Sequence, residues 1–405
     1  MPTLLQINTT VNYGSTGRIA ENIGLAAINQ GWDSYIVHGP RFTNPSRLTA
    51  ICTESPFEEK IHGIKSLFFD EHGLGSKRAT IRTIEKIKKI DPDIIHLHNI
   101  HGYYLNYPIL FPFLKALGKP VVWTFHDCWN FTGHCAYFDL VGCNKWQSGC
   151  EHCPNISSYP RSLIDRAYRN FELKTKYFSD LNSLTIIPVS KWLDGLIEKS
   201  FLSCYERKVL YNGIDISLFQ PQYNGVDFRK KFNIQDKFIV LGVATPWSER
   251  KGLQDFIQLS KLISEDTQII LVGVSKEQQK MLPSNIIGIE RTDNIHQLAE
   301  IYSTVDLFFN PTWEDNFPTT NIEALACGTP VVTYRTGGSP EALSPETGFV
   351  IDQGAYKQVL DIIKVVRDKG KNFYSISCRK RAVSLFNKDD RYNDYIQLYN
   401  KLLNK

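Results

Sequence analysis

An α/β fold in two domains is what this sequence predicts, on three observations. The chain runs to 405 residues, more than one hydrophobic core usually supports, so two domains are the default. Short apolar runs of strand length alternate with amphipathic stretches of helical period, the order that builds parallel sheets. More than once, a strand runs through a polar loop into a helix, which is where open α/β sheets admit ligands.

Composition narrows the class. Hydrophobic content of 42% and charged content of 22% are ordinary for a globular protein. A net charge of +4 is too small to argue for nucleic acid as a partner. No apolar run reaches spanning length, and the first residues lack a basic region followed by a long apolar one. The expected place is the cytoplasm, where thiols stay reduced.

The elements follow in order. Residues 4–7 read as a strand, 12–18 as a loop bearing Gly14 and Gly17, and 19–29 as a helix closed by Gly31. The loop is not a G-x-G-x-x-G fingerprint, which speaks against a dinucleotide. It reads as a ligand-facing loop or as a plain turn. After a strand at 34–38, residues 77–90 read as a helix burying Ile81, Ile84 and Ile87. Its basic residues (Lys77, Arg78, Arg82, Lys86, Lys88, Lys89) form either a solvated face or a surface that approaches anionic lipid, at about 1 kcal/mol per basic residue. Strands at 93–99 and 121–127 each carry a histidine, His98 and His126, at the carboxyl end, where such sheets bind ligands.

Residues 128–153 hold Cys128, Cys135, Cys143, Cys150 and Cys153. Cys150 and Cys153 form a C-x2-C pair, and Cys135 and Cys143 could complete a tetrahedral thiolate set for a structural zinc. Buried thiols without a ligand are the plain alternative. Trp129, Phe131 and Tyr137 in this segment are aromatics suited to stacking on the flat face of a ligand. A strand at 185–189 and a helix from 190 follow; Asn212-Gly213 signals a turn and 221–225 a linker.

The second half opens with a strand at 238–243, a loop carrying Arg250 and Lys251, and a helix from Leu253. Strands at 268–272 and 286–289, a helix at 296–302 and a strand at 305–309 lead to a loop broken by Pro311 and Pro318. A helix carrying Ile322, Leu325 and Ala326 inward stops at Gly328 and Pro330. Asp315 and Glu323 stand eight apart, one in the loop and one in the helix. Each carboxylate can accept from two neighbouring hydroxyls, which suits a polyhydroxylated ligand.

The run from Glu314 to Val332 resembles the donor-site signature of glycosyltransferase family 4. Asp315, not Glu314, falls at the first acidic position of the family's E-x7-E pattern. The resemblance implies the GT-B fold: two Rossmann-like domains facing across a cleft, here 1–215 with the 128–153 insertion, 216–390, and a helix at 391–405 returning to the first domain. It implies retaining transfer from a nucleotide-sugar, a UDP-sugar, to a saccharide or lipid-linked saccharide acceptor in capsule or exopolysaccharide synthesis. Asp315, Lys251 and His126 would be the catalytic residues. Gly17, Arg250, Asn316, Phe317, Pro318, Thr319, Thr320, Asn321 and Glu323 would line the donor site, and His98 and Asp127 the acceptor side. Members commonly carry an Arg five residues before Lys251, where this chain has Pro246. The nucleotide-sugar is a co-substrate, no cofactor is required, and the protein would be cytoplasmic or peripheral at the membrane's inner face. An epimerase of related fold and a silent binding module are the competing classes.

Overall fold

The computed structural model describes residues 1–53, 56–221 and 226–404; the expected linker at 221–225 lies, apart from Pro221, outside the described residues. The chain divides into two compact units, residues 1–211 with 389–405, and residues 212–388.

In the first unit, seven parallel strands are β1 (Thr3–Ile7), β2 (Asp33–His38), β3 (Thr49–Cys52), β4 (Ile94–Leu97), β5 (Val121–Phe125), β6 (Leu184–Pro188) and β7 (Glu206–Arg207), in the order β3-β2-β1-β4-β5-β6-β7. Helices α1 (Gly14–Asn29), α2 (Pro56–Phe69), α3 (Lys77–Ile90), α4 (Tyr107–Leu117), α5 (Ala167–Phe178) and α6 (Lys191–Ile197) connect them. The inner strands are buried on both faces, which is why they read as unbroken apolar runs.

Two sequence expectations need correction here. The first helix starts at Gly14 rather than residue 19, so Gly17 sits in its opening turns. A Cβ at Gly17 would come within 2.6 Å of Thr10 Oγ1; the glycine lets the helix close on the preceding loop. On α3 the buried positions are Ala79, Thr80, Thr83, Ile84 and Ile87, while Ile81 is 51% exposed. A spacing of three alone drifts about 60° per step around a helix, which carries Ile81 off the buried face.

The second unit holds six parallel strands, β8 (Phe238–Val243), β9 (Thr267–Val272), β10 (Ile286–Ile289), β11 (Leu307–Asn310), β12 (Val331–Tyr334) and β13 (Gly348–Ile351), in the order β10-β9-β8-β11-β12-β13. Its helices are α7 (Val226–Lys231), α8 (Leu253–Ser260), α9 (Lys276–Met281), α10 (Ile295–Thr304), α11 (Thr319–Ala326), α12 (Gln358–Lys369) and α13 (Lys371–Phe386). A last helix, α14 (Lys388–Leu403), starts at this unit's end. From Asp389 it belongs to the first unit, where Tyr392, Tyr395, Ile396, Leu398 and Tyr399 pack into one core with Leu4, Ile19, Ile94 and Val122.

Strand order reverses between β1 and β4 in one sheet and between β8 and β11 in the other. Loops leaving adjacent strands diverge at such a point and open a crevice at the carboxyl ends. The predicted site residues leave the sheets close to these two points.

Candidate functional site

In the second unit the two loops at the reversal meet. Lys251 follows β8 and Asp315 follows β11, and Lys251 Nζ stands 2.5 Å from Asp315 Oδ2, both side chains partly open to solvent. The loops are also locked by backbone: Trp313 N donates to Arg250 O at 2.8 Å, and Arg250 Nη1 donates to Glu314 O at 2.6 Å. Gly252 makes this approach possible. Its φ is +74°, and a Cβ there would fall 2.2 Å from Pro311 O.

The expected donor residues separate by burial. Asp315, Thr319, Thr320 and Glu323 are half-buried, as are Arg250 and Lys251, whereas Asn316, Phe317, Pro318 and Asn321 are buried. Pro318 is the N-cap of α11 and lends it no side-chain cap, so the first-turn amides open beside Asp315. The side chain of Asn321 is an internal brace. It accepts from Asn310 Nδ2 at 2.8 Å and donates to Ser339 Oγ at 2.9 Å. Phe317 packs on Phe386 with ring centres 5.7 Å apart. Glu323 Oε2 accepts from the buried Tyr302 hydroxyl at 3.0 Å, which fixes the carboxylate. Below them Asp255 accepts from both Trp313 Nε1 and Tyr334 Oη at 2.8 Å. Neither Tyr302 nor Asp255 is marked in the sequence, where both look like ordinary helix residues.

The first unit gathers histidines at its own reversal point. Gln6 Nε2 donates to Ala20 O at 2.8 Å, so Gln6 Oε1 accepts, and His98 Nε2 lies 3.0 Å from it. His98 therefore carries its proton on Nε2, and its Nδ1 accepts from His126 Nε2 at 3.1 Å. Burial holds the His98 pKa well below the usual imidazole range, with His96 and His126 adding to it. Burial likewise pushes His126 down to about 4, against the pull of Asp127, so it is neutral at pH 7.

Asp127 is buried. Burial raises its pKa, but the His101 pair, at 2.9 Å from Nε2 to Oδ2, together with the Trp129 amide, lowers it further. Its carboxylate thus orients His101 and the start of the insertion. His101, whose Nδ1 lies 3.0 Å from the Tyr159 hydroxyl, went unread in the sequence because no strand or motif marks its loop.

The cysteine segment also departs from expectation. Cys135, Cys143, Cys150 and Cys153 line one small cavity with His134 and Trp146. Among the described residues no group of three or more His, Cys, Asp or Glu side chains is arranged to hold a metal ion. Cys135 and Cys153 share a hydrogen bond, which pulls Cys153 down to about 7 and raises Cys135. Cys150 Sγ accepts from the Gly133 amide at 3.1 Å. Two buried polar ties fasten the segment. Lys174 Nζ donates to Trp129 O at 2.6 Å and Thr132 O at 2.9 Å, and His134 Nδ1 lies 2.6 Å from Asp70 Oδ1. Burial pushes Lys174 down to about 7. Trp129 and Phe131 are at most 1% exposed, so they belong to the core rather than to a sugar platform.

Comparison with known proteins agrees with this arrangement. Residues 17–218 match the family Glycosyltransferase Family 4, and residues 236–367 match Glycosyl transferases group 1. Over 98% of this chain and 100% of the relative, identity is 23% to a protein of Escherichia coli (strain K12) provisionally named colanic acid biosynthesis glycosyl transferase WcaC. The capsular polysaccharide biosynthesis glycosyltransferase CapM of Staphylococcus aureus is 24% identical over 47% of this chain and 53% of its own length. Among solved structures, sucrose-phosphate synthase from Thermosynechococcus elongatus superposes with a TM-score of 0.72, at 16% identity and 99% coverage of both chains. HepE of Anabaena, in complex with UDP and glucose, gives 0.68 at 15% identity and 98% coverage of both. The chain belongs to glycosyltransferase family 4 and is an enzyme of the GT-B fold.

Proposed function

We propose that the chain transfers a sugar, with retention, from a UDP-sugar to a saccharide or lipid-linked saccharide acceptor in surface polysaccharide synthesis. The observation that carries the reading is the Lys251–Asp315 pair, 2.5 Å apart at the β8–β11 reversal beside the first turn of α11. The pair is partly solvated, so Lys251 can exchange Asp315 for a diphosphate oxygen when the donor arrives. Asp315 then accepts from hydroxyls of the donor sugar, and Glu323, steadied by Tyr302, from the ribose hydroxyls.

As the bond between the sugar carbon and the phosphate oxygen breaks, negative charge collects on the diphosphate. Lys251, the amides of Thr319 and Thr320, and Arg250 would stabilise it. His126, neutral and held by His98, orients substrate by hydrogen bonding rather than by carrying charge. The names of the relatives, colanic acid and capsule synthesis, support the class of product, and a UDP complex among the structural neighbours supports the donor. A lipid-linked acceptor would bring the chain to a membrane surface.

The test is transfer from labelled UDP-sugars to saccharide acceptors by wild type, Lys251→Ala and Glu323→Ala. Loss in both variants supports the assignment, and unchanged transfer in both removes it. Free UDP with an altered free sugar would instead indicate an epimerase.

A further inference from the structure

Helix α2 is packed with its polar face inward. Its buried residues are Glu59, His62 and Ser66, while Phe57 is 72% exposed, Ile64 56%, Phe68 47% and Ile61 37%. The inward face has clear partners. His62 Nε2 accepts from the amides of Gly73 and Gly75 at 3.1 Å, His62 Nδ1 lies 3.0 Å from Ser76 Oγ, and Glu59 pairs with Arg41 at 3.0 Å. These bonds fix which way the helix faces. They do not require that the outward positions be large and apolar, and polar residues there would lower the solvation cost.

At 100° per residue, positions 57, 61, 64 and 68 fall within about 60° of one another, with Lys60 on one side of the stripe and Lys65 on the other. The surface extends beyond the helix. Leu163, 59% exposed, sits beside it through a 2.7 Å bond from its amide to Leu67 O. On the other side Arg82 pairs with Glu58 at 3.3 Å, which joins the exposed basic residues of α3 and Ile81 to the patch.

We infer that this face of the first unit docks onto an anionic lipid surface, with Phe57, Ile61, Ile64 and Phe68 entering the headgroup layer. Charge decides the occupant. An apolar stripe edged by lysines and backed by the basic face of α3 is what lies flat on acidic headgroups. A second copy of the chain would bring the same positive edge against itself, and like charges would oppose it. Among the described residues no helix is long and apolar enough to cross a membrane, so contact of this kind is peripheral. The inference deepens the membrane-facing part of the proposed function. It is read out without donor or acceptor, so its failure leaves glycosyl transfer standing.

The experiment is co-sedimentation of the full chain with vesicles of mixed phosphatidylglycerol and phosphatidylcholine and with phosphatidylcholine alone. The expected result is binding to the acidic vesicles that weakens with salt, falls at least about tenfold in Ile64→Asp/Phe68→Asp, and is much weaker on phosphatidylcholine. Both positions are exposed, so the melting temperature of the variant should hold, which separates docking from misfolding. Equal binding by wild type and variant, or no binding to either vesicle, overturns the inference. So does a wild-type dimer that the variant dissociates, which would make the face a self-association surface.

Discussion

Nine of the ten histidines lie in the first unit, and only His296 lies in the second. Around α11 the second unit braces its interior largely with amides and hydroxyls, such as Asn310, Asn321, Thr333 and Ser339, which carry no charge at any ordinary pH, with the Asp255 carboxylate beneath them. The first relies on largely buried imidazoles, among them His62, His98 and His126, and these can titrate. Both units solve one problem, bracing strand ends at a sheet reversal, with different chemistry. Amides hold the second site in a fixed shape, while the first depends on where protons sit.

The largest effect should come from removing the cation in the second unit. Lys251→Ala is expected to lower kcat about 100-fold or more, with little change in melting temperature, because the pair it leaves is partly solvated. A variant that unfolds would instead make the pair structural.

Acid should break the comparison in the other direction. His62 and His126 are each held down to about 4, below a free value of 6.5. The unfolded chain therefore binds more protons between those values, and stability is lost as pH falls from 6.5 towards 4. At full shift each is worth about 3 kcal/mol, an upper figure. Hydrogen exchange at pH 7 and pH 5 checks this. Peptides from β1, β4 and β5 should lose protection first, and equal loss from β8, β11 and β12 would contradict the assignment.

A smaller effect is expected of Gly252→Ala. Its Cβ would meet Pro311 O, so the loop must shift and Lys251 with it. Stability should fall by about 1–3 kcal/mol, and donor KM should rise. Lys174→Met should cost about 1–3 kcal/mol by leaving the Trp129 and Thr132 carbonyls unpaired, and urea unfolding would show it. The smallest is Arg335→Ala, which breaks an exposed pair with Asp352 and should change stability by less than about 0.5 kcal/mol.

Legibility in the sequence followed the same division. The second unit's candidate site is compact in the sequence: its residues fall within two short runs, around Lys251 and from Asp315 to Glu323, each tied to one strand and one helix start. The strand alternation likewise gave the parallel sheets, since strands buried on both faces leave unbroken apolar runs. The first unit's network was mostly hidden. Gln6 meets His98, and His101 meets Tyr159, only through tertiary packing, and Lys174 looks in sequence like any lysine on an amphipathic helix. The inverted face of α2 was also missed, because a pattern of apolar residues names a stripe without saying which side of it the fold covers.

The core shared by Leu4, Ile94 and α14 sets an order of events during synthesis. A chain emerging from the ribosome presents all seven strands of the first sheet before any of the second, yet Tyr392, Tyr395 and Tyr399 come last. Until they arrive, Thr124 lacks its bond to the Tyr395 hydroxyl and His96 Nδ1 lacks the Tyr399 hydroxyl. The second unit, continuous from residue 212 to 388, has every one of its parts earlier. The later half of the chain can thus complete its fold first, and the earlier half waits with an open apolar seam for the final helix to close it.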